Sequence, residues 1–506
     1  MRWIVVLLVF FSPSQVNAAW HRAESANFVV YSNIDAQSID KFTRRLELFS
    51  SLLRVQTGVE LDPDTPKLQV FAVDGEAGVR RAMGAGSSNV AGFYSAKITG
   101  SYIFVPRGTG GVSPYELSAD IVLYHEYAHH FMLQHFPRGY PAWFVEGFAE
   151  FYSTTAFNKD GSVSIGMPAM HRAYSIALGK PLSMDRMLAA DPGKMSADET
   201  ARFYAWSWVL THYLMINSER KAQFDRYLRD YGRGDDPLKA ARAAFGDLEV
   251  LKDALMKYAL ARRITTRKIM GWKPPVAQIT ITPLNIAEAA TMPLLMQFVQ
   301  WSNSKQQVDL FFRDAQKNAL RYPDEPMALE MLAEGALDAD NLDGALKAND
   351  ALIAKRPNDA RALLRRARIA AVHLRKSAVP AGWPAVRKLI VKANRAAPND
   401  PFALTEYYDT YLEEGIPAPE IAVDGLRRAL QLVPQVSNVR MKLARRLVTD
   451  GKGVEARAVL VPLLNNPHSA EVRAVLDAML AFAEQVRADS GVSGFTDIVH
   501  IGIGGS

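Results

Sequence analysis

The pattern of apolar and polar positions divides the chain into a strand-rich beginning and a longer helical remainder. Short β-branched and aromatic runs occupy residues 28–31, 68–71 and 102–105, and a helical stretch lies between the first two of them. These runs predict a small mixed sheet that carries a helix. From residue 116 to about residue 257 the apolar spacing is mainly helical, so we expect one α+β domain over residues 20–265.

A segment rich in prolines follows this domain. Pro274, Pro275 and Pro283 flank a short β-type run at residues 279–282. Prolines at this density interrupt regular elements. We therefore expect residues 266–286 to form a linker between two domains.

Beyond the linker, helical stretches end in prolines that recur at intervals of 33 to 41 residues. These are Pro323, Pro357, Pro398, Pro434 and Pro467. A period near 34 residues predicts a solenoid of helical hairpins, each ended by its proline. Residues 341–345 and 355–359 resemble tetratricopeptide repeats, in which a small residue such as Ala345 lets paired helices approach closely. The resemblance covers about residues 287–485 and implies an all-α domain that binds a protein partner.

The N-terminal residues have the three zones of a secretory signal peptide. Arg2 precedes an apolar run at residues 3–11, and a small-residue stretch at residues 16–19 follows. About nine apolar residues are too few to cross a bilayer, which needs roughly 20. We expect residues 1–19 to be removed, and the mature protein to be periplasmic or secreted without a stable membrane span.

Composition narrows the candidate chemistry. The chain of 506 residues is 49% apolar and 22% charged, as is typical of folded soluble proteins. Its formal charge of +6 is small for this length, so no nucleic-acid partner is expected. Cysteine is absent, which excludes disulfides and thiolate ligands. Any metal ion must therefore bind to His, Asp or Glu.

Four of the ten histidines cluster in one predicted helix that contains the pattern H-E-x-x-H. Residues four apart on a helix are separated by about 40° in projection, so His125 and His129 project from one face and can bind one ion. Glu126 lies close enough to that side to reach a metal-bound water. His130 and His135 face away from it and are expected to be packing or surface residues.

The following helix supplies a candidate third ligand. A catalytic zinc site needs three protein ligands and one open position. Pro141 opens a helical stretch that places Glu146 and Glu150 on one face. A turn at residues 137–139 would fold this helix back against the first.

In these two helices the chain resembles the gluzincin metallopeptidases, most closely the peptidase MA-like proteins related to aminopeptidase N. In those proteins a Trp-x-x-Glu-Gly-x-Ala segment follows H-E-x-x-H, and here that segment begins at Trp143. The resemblance implies a zincin-like α+β catalytic domain with zinc on His125, His129 and Glu146. It also implies that Glu126 is the general base in peptide-bond hydrolysis and that Glu150 orients a ligand histidine.

Other sequence features modify that expectation. No Gly-x-Met-Glu-Asn segment occurs in the chain, so the resemblance favours an endopeptidase over an aminopeptidase. Residues 201–210 resemble the Tyr-rich helix of peptidase MA-like proteins, which implies Tyr204 as donor to the oxyanion. His212 and Tyr213 are alternatives, and a packing role for Tyr204 stays open.

The leading hypothesis is an exported zinc metallopeptidase whose helical repeats recruit a peptide or protein substrate or partner. The alternative is a non-catalytic, zinc-stabilised scaffold that acts through its repeats. Residues 486–506 form a predicted tail without function. Its last residues resemble the strand and glycine loop of glucose-6-phosphate isomerases, but no helix follows to present backbone amides to a phosphate.

Overall fold

The computed structural model describes residues 19–83, 90–108, 113, 115–179, 181–261, 263–300, 304–377 and 380–463. The predicted signal peptide, Pro467 and the C-terminal tail lie outside the described residues, apart from Ala19. Among the described helices none is long and apolar enough to cross a membrane.

The described strands form two sheets. They are β1 (His21–Glu24), β2 (Phe28–Ser32), β3 (Leu68–Val73), β4 (Phe93–Lys97), β5 (Gly100–Pro106), β6 (Ala156–Phe157), β7 (Val163–Ile165), β8 (Arg267–Ile269) and β9 (Thr280–Pro283). The larger sheet has the order β4-β5-β3-β2-β1-β9, in which β2, β3 and β5 are parallel. The other neighbours in it are antiparallel, and β6-β7-β8 form a small antiparallel sheet. The predicted mixed sheet is thus present.

Ten helices accompany the sheets in the N-terminal part. They are α1 (Ala36–Thr57), α2 (Gly75–Met83), α3 (Ala119–His135), α4 (Ala142–Ser153), α5 (Ala173–Ala177), α6 (Met184–Leu188), α7 (Ala197–Ile216), α8 (Lys221–Tyr231), α9 (Pro237–Phe245) and α10 (Leu248–Ala259). A short 3-10 helix, Met170–Arg172, lies directly before α5.

The central strands β3 and β5 of the larger sheet bury side chains on both faces, and successive side chains of each strand point to opposite faces. Val70 of β3 and Ile103 of β5 join a core with α1 and α3, whereas Phe71 and Phe104 belong to a separate cluster on the opposite face. Fully buried residues of two helices join that second cluster, from α2 and from the first helix of the C-terminal part, and Met327 of a later helix packs against it. The C-terminal helices thus cover the second face of the sheet, and they also reach α3 directly, where Gln134 donates from Nε2 to the Leu432 carbonyl at 2.9 Å.

Helices α3 and α4 begin at clear N-terminal signals. Ser118 caps α3 by accepting a hydrogen bond from the backbone N–H of Ile121. Pro141 stands at the N-cap of α4, where its missing N–H costs nothing. Every residue of α4 is buried, and the helix packs between α3 and α7.

The C-terminal part consists of helices. They are α11 (Ile286–Gln300), α12 (Lys305–Arg321), α13 (Pro326–Asp338), α14 (Leu342–Lys355), α15 (Ala360–Ser377), α16 (Trp383–Ala396), α17 (Pro401–Glu414), α18 (Glu420–Leu432), α19 (Ser437–Thr449) and α20 (Gly453–Leu460). From α13 onward they pack mainly as consecutive pairs. Pro323, Pro357, Pro398 and Pro434 each follow the end of a helix by two residues. The prediction of a helical repeat region is confirmed.

The structure differs from the linker expectation. Strands β8 and β9 fall within residues 266–286 and pair with β7 and β1 of the N-terminal part. Helix α11 then buries Met292 and Val299 in the cluster that also contains Phe71 and Phe104. Residues 266–286 resemble a linker in sequence because their two strands are short and lie at sheet edges, so that neither needs a long apolar run.

Candidate metal centre

Helices α3 and α4 bring two histidines and one carboxylate together. The Nε2 atoms of His125 and His129 on α3 lie 3.1 Å apart. On α4, the Oε2 atom of Glu146 lies 3.5 Å from Nε2 of His125 and 3.4 Å from Nε2 of His129. Within the described part of the chain, these residues are the group that could hold a metal ion.

The separations of these atoms fit a tetrahedral metal ion. Zinc binds nitrogen and oxygen ligands at about 2.0–2.2 Å, and tetrahedral angles then place its ligand atoms about 3.3–3.6 Å apart. Oε2 of Glu146 is buried and makes no hydrogen bond. A buried carboxylate oxygen without a partner is costly. A cation between the three residues would provide that partner.

Glu126 lies beside the three residues and is 9% exposed. Burial raises the pKa of its carboxyl group to about 7, and the nearby Glu146 adds to this rise while His129 opposes it. The backbone N–H of Tyr94, in β4, interacts with the same carboxylate and also lowers its pKa. The Glu126 carboxyl group is thus close to His129 and Glu146 on one side and to β4 on the other.

Glu150 lies one helical turn beyond Glu146. Its Oε1 atom is 3.7 Å from Nδ1 of His125, but its shorter contacts are to two other residues. Its Oε2 atom lies 2.9 Å from Nε2 of His171, and its Oε1 atom accepts a hydrogen bond of 2.6 Å from Nη2 of Arg172. Burial alone would raise the pKa of Glu150, but Arg172 and His171 hold it well below its usual range.

His171 and Arg172 were not predicted from the sequence. They lie in a 3-10 turn between β7 and α5, and no local spacing connects them to α4. Arg172 also stacks on Tyr204, with its guanidinium carbon 5.2 Å from the ring centroid. The structure thus adds a partly buried ion pair, Arg172 with Glu150, next to the ligand His125.

Tyr204 lies on α7 at the edge of the metal centre. Its ring centroid is 6.2 Å from that of His125. The Glu146 carboxylate and burial both raise the pKa of Tyr204 well above its usual value, so its hydroxyl stays protonated and able to donate. The alternative donor His212 has both ring nitrogens engaged elsewhere. They lie 2.7 Å from Oη of Tyr258 and 2.8 Å from the Gly166 carbonyl oxygen.

No protein-family model matches the chain. Curated relatives share short matches with it, and all three are named glucose-6-phosphate isomerase. The protein from Methylibium petroleiphilum is 44% identical over 89 residues, which cover 18% of this chain and 14% of the relative. The protein from Leptothrix cholodnii is 50% identical over 58 residues, which cover 12% of this chain and 10% of the relative. The third, from Polaromonas naphthalenivorans, is 49% identical over 69 residues, which cover 10% of this chain and 13% of the relative. The chain thus spans a small fraction of the length of these relatives.

One solved structure, a thermophilic TPR protein in Thermus thermophilus, covers 38% of this chain and 99% of its own at 17% identity. Its TM-score is 0.33, which is too low to support a shared fold.

These findings contradict the prediction of a gluzincin-type zinc metallopeptidase. The curated proteins that match the chain are named as sugar-phosphate isomerases and not as peptidases. The expected hydrolysis of peptide bonds, in its endopeptidase form as well, is therefore wrong. The alternative of a non-catalytic scaffold has no support either. The positions of the candidate residues are a separate observation, which rests on the geometry described above.

Proposed function

We propose that the chain binds one zinc ion through His125, His129 and Glu146 and that this centre activates a water molecule. The observation that carries the proposal is the convergence of three ligand atoms separated by 3.1 to 3.5 Å, one of which is the buried Oε2 of Glu146, an oxygen that makes no hydrogen bond. Two neutral imidazoles and one carboxylate form a donor set that suits zinc.

The chain's own residues have distinct roles in this proposal. When bound, zinc lowers the pKa of a water ligand from about 15.7 to about 7. Glu126 accepts the proton, because its carboxylate adjoins the cluster without belonging to it. The protonated hydroxyl of Tyr204 would be available as a hydrogen-bond donor at the edge of this centre. Glu150 holds the ring of His125 and is itself fixed by Arg172.

Metal analysis of the purified chain tests this proposal. We expect about one zinc per chain after native purification and zinc resupply, and loss of most of it in Glu146→Gln, because the amide carries no charge. Glu126→Gln should retain zinc, since Glu126 is not a ligand. His373→Ala, which changes an exposed histidine of α15, is the matched control. A parent chain without zinc, or equal zinc in Glu146→Gln and the control, would show that the centre is wrongly assigned.

The names of the curated relatives supply a second candidate, isomerisation of glucose 6-phosphate. The specific observation is identity of 44% and 50% over 89 and 58 residues. The full chain should be assayed for this conversion with and without zinc. No turnover above a blank would remove this candidate and leave the metal centre unaffected.

We also propose that the chain is exported, that it binds a peptide or protein ligand, and that its helical repeats bind a protein partner. Support comes from the signal-peptide pattern of residues 1–19 and from the stacked helix pairs of α13 to α20. Fractionation of cells that express the tagged chain would locate it.

A further inference from the structure

The β4–β5 hairpin, which comprises Phe93–Lys97, Gly100–Pro106 and the turn between them, reaches from the metal centre to the helical repeats. Its inner end lies against α3, where the backbone N–H of Tyr94 interacts with the Glu126 carboxylate. Among the described strands, β4 is an edge of the larger sheet and pairs with β5 alone. An edge strand needs further contacts to keep a fixed position.

The approach of β4 to α3 is unusually close. A Cβ atom added at Gly92, just before β4, would lie 2.4 Å from Cγ1 of Val122 and 3.2 Å from Cγ of Glu126. It would also lie 3.2 Å from the carbonyl oxygen of Phe104. Only glycine fits between the helix and the sheet without displacing one of them. The position of this strand therefore limits where the Glu126 side chain can lie.

The outer end of the hairpin is held by the repeats. Ile98 packs against the apolar cluster of α17 to α19, which includes Tyr408 and Val423. Arg361 of α15 donates from Nη2 to the Thr99 carbonyl at 3.1 Å. Gln435, in the loop before α19, donates from Nε2 to Oγ of Ser101 at 3.1 Å. These contacts come from three different places in the repeat region.

We propose that the helical repeats position Glu126 in the metal centre by holding the β4–β5 hairpin, with Ile98 and Gln435 as positioning residues. The inference rests on the proposed zinc centre. One end of a hydrogen-bonded hairpin cannot shift without moving the other, so a change at Ile98 or Gln435 is transmitted to Tyr94 and then to Glu126. The zinc ligands lie on α3 and α4, which also pack against each other, while α4 packs against α7, and these contacts keep the ligand geometry.

Coupling of this kind is reciprocal. If the hairpin fixes Glu126 beside the metal and its water, then zinc binding also stabilises the hairpin. Zinc should therefore slow hydrogen exchange of the β4 amides. That protection should depend on the contacts with the repeats.

Hydrogen exchange measured by mass spectrometry on the full chain tests the proposal. In the parent, we expect zinc to slow exchange of peptides that cover residues 93–97. In the double variant Ile98→Ser with Gln435→Ala, exchange there should be about tenfold faster, and most of the zinc-dependent protection should be lost. Zinc affinity, measured by competition with a chelator, should fall by no more than the factor by which zinc slows β4 exchange in the parent. Gln431→Ala, which changes an exposed glutamine of α18, is the control.

Each other result overturns a defined part of the inference. Unchanged exchange in the double variant would mean that the repeats do not hold the hairpin. Faster exchange with undiminished zinc-dependent protection would mean that the hairpin is held but does not position Glu126. A parent that binds zinc without protecting β4 would exclude the coupling. A parent that binds no zinc would instead refute the proposed metal centre, and the coupling with it.

Discussion

Arg365 is a charged residue buried inside the repeats, with only 2% of its side chain exposed. Its guanidinium donates to Glu334 at 2.8 Å, to Glu330 at 2.9 Å and to Asn349 at 3.1 Å. Burial alone would raise the pKa of Glu334, but Arg365 and Arg368 lower it to about 2. The arginine and the carboxylate therefore stay charged, and each depends on the other.

Replacing Arg365 by Met should destabilise the chain by about 3–5 kcal/mol, because it leaves the Glu334 carboxylate buried without its main partner. Chemical denaturation followed by circular dichroism measures the change. Arg366→Met is the control, since Arg366 pairs with Asp350 where both side chains are 42% exposed, and such pairs contribute about 0–1 kcal/mol. Equal losses in the two variants would contradict the proposed dependence on burial.

His135, at the end of α3, should make the fold sensitive to acid. Burial, with a smaller contribution from Arg54, lowers the pKa of His135 to about 4, against about 6.5 in an unfolded chain. The unfolded state then binds more protons between these values, so His135 makes stability fall as pH decreases from about 6.5 to about 4.

His135→Gln should reduce that fall in stability. Urea midpoints of metal-free protein at pH 7 and pH 4.5 measure it, and His373→Gln, an exposed site, is the comparison. If the midpoint of His135→Gln drops as far as that of the parent, another group causes the acid sensitivity.

At the scale of elements, the metal centre depends on how closely α4 crosses α7. A Cβ atom added at Gly147 would lie 2.0 Å from Oγ1 of Thr211 and 2.4 Å from the Ser207 carbonyl oxygen. Gly147 directly follows Glu146, so the two helices cannot separate without moving that ligand.

Gly147→Ala should therefore destabilise the chain by about 1–3 kcal/mol through overpacking and weaken zinc binding at least tenfold. Gly425→Ala in α18 is the matched control, because its added Cβ would meet Leu404 at an ordinary 3.6 Å. That change should be neutral or stabilising, as alanine favours helix. Unchanged zinc affinity in Gly147→Ala would show that α4 tolerates the shift.

The elements also show what sequence patterns can and cannot predict. The spacing of His125 and His129 follows from helical periodicity alone, and the next apolar helix offers Glu146 and Glu150 on one face. The choice of Glu146 between them comes from the resemblance to gluzincins. The hairpin contacts of Tyr94 and the ion pair of Arg172 depend on tertiary packing, which leaves no local period. The repeat helices were predictable because each proline terminates a helix at nearly regular intervals.

At the scale of the whole molecule, the sheet and the repeats share a core. Residues 266–286 were expected to separate two domains, yet β9 extends the larger sheet and α11 covers its second face. The apolar side chains of α11 alternate between two partners, since Met292 faces the sheet and Leu294 packs against Phe311 of α12. A sequence pattern shows that such a helix is apolar on several sides, but not which element covers each side.

This shared core predicts where the chain can be cut. A fragment of residues 20–285 lacks α11 and exposes Phe71, Phe104 and Val79, which are fully buried in the intact chain. Exposed apolar surface of that size promotes association, so the fragment should aggregate and bind a hydrophobic dye. A fragment of residues 20–355 keeps α11 to α14, and it should remain monomeric because α12 and α13 together cover the outer side of α11. Size-exclusion chromatography and dye fluorescence distinguish the two. Monomeric, dye-free behaviour of the shorter fragment would mean that the sheet does not need α11, and the boundary at residues 266–286 would then divide two independent domains.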